Sequence, residues 1–164
     1  MSGPHVALPL LRDARIVLDE EPLHGPLAGI CYGLEAAATD VAFVAGCDHP
    51  FVGPEVASLL VERAAGGNGA IVVADGVPQP LLAAYRKDVA AVIRQMLASG
   101  ERRAMALRPL TRLVEVAAHE LGDVDPAGLA LIDVDTPEAY AEALEIARRQ
   151  GGELSVLHTS RPPR

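Results

Sequence analysis

The apolar positions of this chain keep two rhythms. Short, mostly apolar runs occur at 41–45 (VAFVA), 70–74 (AIVVA), 81–85 (LLAAY) and 113–117 (LVEVA, interrupted by Glu115), with shorter ones at 15–18 (RIVL) and 129–132 (LALI). Runs of this length with little polar alternation predict strands buried on both faces of a parallel sheet. Pro80, at the start of 81–85, predicts an edge strand there, because proline donates nothing to a ladder. Between the runs the spacing becomes helical. Asp88 caps a stretch with apolar residues at Val89, Val92, Ile93, Met96 and Leu97, and Gly100 ends it. Pro26 opens a helix over 27–38, and Pro54 opens one that closes at the Gly66-Gly67-Asn68-Gly69 run. A further helix over 102–108 stops at Pro109. Thr136-Pro137-Glu138 combines a capping hydroxyl, a first-position proline and an early acid, and starts a helix to 149.

Strands and helices that alternate in this way call for an α/β fold of three layers, a mostly parallel sheet with helices on both faces. There is no internal repeat and no linker, so residues 1–150 read as one domain. The stretch 151–164 has no periodicity and reads as a flexible tail.

Composition narrows the partners. Half of the 164 residues are hydrophobic but only 3% are aromatic, with no Trp, so Leu, Val and Ala must build the core. The formal charge of −8 excludes the basic footprint of a nucleic-acid binder. It leaves room for a nucleotide, because a bound cation and a few backbone N–H groups can hold one polyanion. No apolar run approaches the roughly 20 residues of a membrane span, and no signal peptide precedes the first strand. Cys31 and Cys47 form no CxxC and read as free thiols in buried elements, in a reducing cytoplasm.

Three acid clusters fall at predicted strand ends: Asp19 with Glu20 and Glu21, Asp48, and the pair Asp133 and Asp135. Ligands of open α/β sheets bind outside the carboxyl ends of the strands. If these ends converge, their acids form a site for a hard cation, beside the N–H groups of the helix that starts at Gly25-Pro26. Asp48 has two readings at this point: it holds a cation, or it caps the turn before the next helix. His49, beside it, reads as a solvated turn residue. Gly29 and Gly33 cost that helix about 1 kcal/mol each relative to alanine, which predicts close packing on their face.

The ordered motifs carry a resemblance. Gly25-Pro-Leu-Ala-Gly-Ile30 with Gly33-Leu34, then Gly46-Cys-Asp-His-Pro-Phe51, resembles the molybdenum-cofactor guanylyltransferases of the nucleotidyltransferase superfamily. Pro78-Gln-Pro-Leu-Leu-Ala-Ala-Tyr-Arg86, Gly100-Glu-Arg-Arg103 and Ile132-Asp-Val-Asp-Thr-Pro-Glu138 keep the same order, so the likeness covers about 15–148. It implies a Rossmann-like nucleotidyltransferase fold and transfer of GMP from Mg-GTP to molybdopterin. By the same resemblance Asp48 is the catalytic, magnesium-holding residue and a nucleotide contact. Asp19, Gly25, Pro26 and Leu27 bind the nucleotide, and Asp133, Asp135 and Gln79 contact the acceptor or a second metal.

Such enzymes open with a strand and a Gly-rich loop that wraps the triphosphate, and this sequence has no such loop. The resemblance therefore implies an N-terminally truncated domain with an open sheet edge, suited to a homodimer. Asp133-Val-Asp135 stands where guanylyl enzymes commonly carry asparagines, and is closer to the cytidylyl relatives. Three readings follow: a guanylyltransferase, a non-catalytic remnant that binds a partner or a pterin, and a related enzyme that uses CTP or a sugar phosphate.

Overall fold

The computed structural model describes residues 15–17 and 25–150. Helix α1 (Gly25–Ala36) precedes strand β1 (Val41–Ala45), then come α2 (Pro54–Arg63), β2 (Gly69–Ala74), β3 (Val77–Arg86), α3 (Val89–Ala98), β4 (Leu113–Ala117) and α4 (Pro137–Arg149). The sheet order is β1-β3-β2-β4. β3 is antiparallel to both β1 and β2, and β2 is parallel to β4. Hence β1, β2 and β4 point one way, as the apolar runs predicted, and β3 alone is reversed.

Alternation along each strand divides the core in two. Ala42, Val44, Ile71, Ala83 and Tyr85 face α1 and α3, where they meet Leu27, Ile30, Leu34 and Ile93. Phe43, Ala70, Val72, Leu82, Ala84 and Val116 face the other way, onto Val56 and Leu60 of α2. These are the expected three layers. Between the first two helices on one face, Arg94 makes a bidentate pair with Glu35 and stacks over the Tyr32 ring, 5.3 Å from its centroid.

Several local expectations change. β3 is interior rather than an edge, and it holds both Pro78 and Pro80. It tolerates Pro80 because the ladder slips there: Ile71 pairs with Ala83 but Val72 with Gln79, so residues 80–82 bulge out of register. β1 is half-buried rather than enclosed, since among the described residues it pairs with β3 alone. Residues 129–132 form a 3-10 turn (Leu129–Leu131) instead of a strand, because the Asp125 carboxylate caps the N–H groups of Leu129 and Ala130. Residues 15–17 are irregular, and Leu18 and the 151–164 tail lie outside the described residues. Gly29 and Gly33 are exposed, and a Cβ at either would meet nothing within 4 Å among the described residues, so the close packing predicted for them is not seen there. Cys31 is fully buried as expected, and burial pushes its thiol up to about 11. Cys47 is exposed, because its strand has already ended.

The bulge is held from within. Tyr85, fully buried, donates its hydroxyl to the Pro80 carbonyl at 2.9 Å. Tyr85→Phe leaves that carbonyl without its partner, and the expected loss is about 1 kcal/mol or slightly more in urea unfolding, with an unchanged m-value.

Candidate functional site

The site grows from the way β1 ends. Gly46 N–H donates to the Leu81 carbonyl at 2.8 Å, so the chain leaves the sheet against the bulge of β3. A turn follows, in which His49 N–H donates to Gly46 O at 3.2 Å. Gly46 is needed here for space: a Cβ would stand 2.1 Å from Asp48 Oδ1 and 3.4 Å from His49 Cδ2. The Asp48 carbonyl then accepts the Val134 N–H at 2.9 Å, which brings the 132–135 segment to the end of β1. Two of the three predicted acid clusters therefore meet. Asp133 and Asp135 flank this hydrogen bond with exposed side chains.

Among the described residues only two buried side-chain polar atoms lack a partner, and they are neighbours in sequence: Asp48 Oδ1 and His49 Nδ1. A buried carboxylate oxygen without a donor is costly. A turn cap would have used that oxygen on a backbone N–H, so the capping reading of Asp48 fails for Oδ1. The arrangement fits a hard divalent cation that keeps several waters and completes its shell with phosphate oxygens. It does not fit a closed protein cage, since no group of three or more His, Cys, Asp or Glu able to hold a metal occurs among the described residues. The half-buried His49 is a residue that sequence reading passed over as solvated. Its only sequence signal is its place beside Asp48.

Leu81 also lines a cleft of about 440 Å³, together with Gly25 and Pro26, Pro80 and the 102–105 segment. Gly25 has φ +69°, and its Cα faces the Arg102 carbonyl, which a Cβ would meet at 3.4 Å. Gly25 and Pro26, at the start of α1, both line this cleft. Leu27 points the other way and is fully buried in the core. Gln79 precedes the bulge, half-buried, with its amide donating to Val77 O at 3.3 Å. Asp19 lies outside the described residues. Sequence reading had not placed Arg102, Arg103 and Met105 at the cleft. The Gly100-Glu-Arg-Arg motif was the available signal.

These arginines are already engaged. Arg102 donates to the carbonyls of Leu97 and Glu101 at 2.8 and 2.9 Å. Arg103 grips the Glu101 carboxylate, which also accepts the N–H groups of Arg102 and Arg103. The Arg103 side chain, then both backbone N–H groups, hold the Glu101 carboxyl down to about 2. A depressed carboxyl contributes stability that is complete above its unfolded value and is lost as pH falls through the folded one. The clamp should accordingly stay closed from neutral pH through the ordinary carboxylate range and open only as pH approaches 2. The Glu101 carboxyl carbon, followed by NMR, should titrate there.

Comparison with known proteins yields one consistent set. Residues 2–116 match the family model described as MobA-like NTP transferase domain. A probable molybdenum cofactor guanylyltransferase of Chloroflexus aggregans is 33% identical over 128 residues, 76% of this chain and 62% of that protein. A molybdenum cofactor guanylyltransferase of Burkholderia lata is 33% identical over 66% of this chain and 57% of its own length. The crystal structure of molybdopterin-guanine dinucleotide biosynthesis protein A from Archaeoglobus fulgidus superposes with a TM-score of 0.67 at 26% identity, covering 76% of this chain and 64% of that one. The chain thus spans less than two thirds of the length of these relatives.

Proposed function

The chain belongs to the MobA-like NTP transferase family, and from that premise we propose that its site binds GTP with Mg2+ and serves transfer of GMP to molybdopterin. In this reaction a terminal phosphate oxygen of the acceptor bonds to the α-phosphorus of GTP, the bond from that phosphorus to the β-phosphate oxygen breaks, and pyrophosphate leaves. Magnesium, when bound, neutralises phosphate charge. The chain's own part is positioning, which carries most of phosphoryl-transfer catalysis. Asp48 holds the cation, as its partnerless Oδ1 supports. Gly25 and Pro26 receive the nucleotide in the cleft, with Leu27 anchoring the helix behind them. Asp19 belongs to the nucleoside side of the same site. Gln79, Asp133 and Asp135 contact the acceptor, or a second metal ion, across the turn that Val134 ties to Asp48. The single observation that supports this most is that loop, bonded to the cleft through Leu81 on one side and to the second acid pair on the other.

The reading places the chain in the cytoplasm, and as a homodimer joined along the edge of β1. A second reading, a binding module that transfers nothing, is favoured by one observation. Arg102 and Arg103 at the cleft are spent on Glu101 and on carbonyls, which leaves a polyphosphate with little cationic help from them. The acidic 132–135 segment favours a third, with CTP in place of GTP.

Calorimetric titration with GTP, with and without Mg2+, separates these. Magnesium-dependent binding is expected, and Asp48→Ala should abolish it with little change in melting temperature. Gly46→Ala should mimic that variant, because its Cβ displaces the Asp48 carboxylate. CTP that binds as well as GTP would overturn the guanylyl assignment, and GTP binding without pyrophosphate release on addition of molybdopterin would leave the binding module.

A further inference from the structure

The loop that delivers Asp133 and Asp135 has an internal support with no part in the reading above. Leu121, buried under the sheet, accepts N–H groups from Val124 and Asp125 at 2.9 and 2.7 Å. The Asp125 carbonyl accepts Gly128 N–H at 3.0 Å, and Gly128 turns the chain with φ +67°. The two oxygens of the Asp125 carboxylate then divide their work, Oδ1 on Leu129 N–H at 3.0 Å and Oδ2 on Ala130 N–H at 2.8 Å. A 3-10 turn of three residues cannot persist alone, and its sequence favours an extended chain. The carboxylate holds it closed, with Ala130 fully buried against the α2 side of the core. Ile132 N–H returns to Leu129 O at 3.0 Å, and two residues later Val134 reaches Asp48.

We infer that Asp125 is a positioning residue, which acts through the Leu129–Leu131 turn and the Val134 N–H to set the Asp48 loop for its cation. The inference rests on the reading of Asp48 as the cation holder. Asp125 spends its carboxylate inside its own loop, so its effect on the site passes through the backbone it holds. Groups that orient a metal ligand in this way typically contribute roughly 10–100-fold in metal affinity.

The test uses the full chain and Mn2+ as a paramagnetic substitute for Mg2+. Mn2+ affinity is measured by electron paramagnetic resonance, and hydrogen exchange of the Val134 amide by NMR. Asp125→Ala should weaken Mn2+ about tenfold and speed Val134 exchange at a temperature where the variant is folded by circular dichroism. Asp125→Asn, which keeps one acceptor, should lie between it and the wild type. Gly128→Ala provides a control that keeps the charge: it strains the same turn, and it should weaken Mn2+ and expose Val134 in the same way. If only the Asp125 variants weaken Mn2+, the effect is the charge of the carboxylate and the inference is wrong. It is also wrong if Asp125→Ala binds Mn2+ as the wild type does while Asp48→Ala does not, an outcome that leaves the Asp48 reading intact. Mn2+ binding that ignores Asp48→Ala, or no binding by the wild type, overturns both.

Discussion

Strand β3 runs against its companions through the middle of the sheet, and the site depends on how it does so. From Ala83 to Tyr85 it is buried on both faces and pairs on both edges. Such a strand must give every N–H and carbonyl a partner or leave the ladder in a controlled way. It leaves at Pro80, where no N–H is available to lose, and the Tyr85 hydroxyl accounts for the proline's carbonyl. On the β1 side the ladder continues one residue further, through Gly46 and Leu81. Leu81 therefore both lines the cleft and holds the start of the Asp48 turn through its carbonyl.

The electrostatics are arranged in the same spirit. The chain carries 22 acids against 14 Lys and Arg, and many arginines are assigned to particular acids: Arg94 to Glu35, Arg103 to Glu101, Arg108 to Glu115 and Arg63 to Glu120. The Glu120 carboxyl is lowered first by the Ala117 N–H it accepts and then by Arg63. These exposed pairs contribute little each. Among the described residues none of these pairs reaches Asp48, where a buried carboxylate oxygen has no hydrogen-bond partner. In the function proposed here a bound cation would supply the positive charge.

Much of this was legible from residue pattern. The runs at 41–45, 70–74 and 113–117 became strands because short, mostly apolar stretches of this length have few other ways to be buried. Pro54 and the Thr136-Pro137 pair marked helix starts for local reasons that tertiary context did not override, whereas Asp88 stands at the start of α3 without the predicted cap, its side chain making no hydrogen bond to the first turn. Thr136, for instance, accepts the Ala139 N–H as its cap. The direction and length of β3 were not legible, because reversal depends on the short Asp75-Gly76 hairpin and on packing with both neighbours. LALI at 129–132 misled for the same kind of reason. Its apolar run is that of a strand, and the carboxylate that winds it into a turn lies four residues upstream. That the Asp48 turn and the 133–135 pair lie together was not legible, because the Val134 to Asp48 bond that joins them spans 86 positions of sequence. No local pattern encodes it.

The central claim is that the ends of β1 and of the 132–135 segment form one cation-dependent nucleotide site. Amide spectra of the labelled chain, recorded with GTP while Mn2+ is added in small amounts, test it most directly. The account predicts that relaxation by the bound ion broadens Gly46 to His49 and Asp133 to Asp135 first, with Gly25 and Leu27 close behind. Broadening centred instead on the hollow of about 370 Å³ beside α2, where Glu55 and Glu62 stand, with Asp48 and Val134 left sharp, would contradict it.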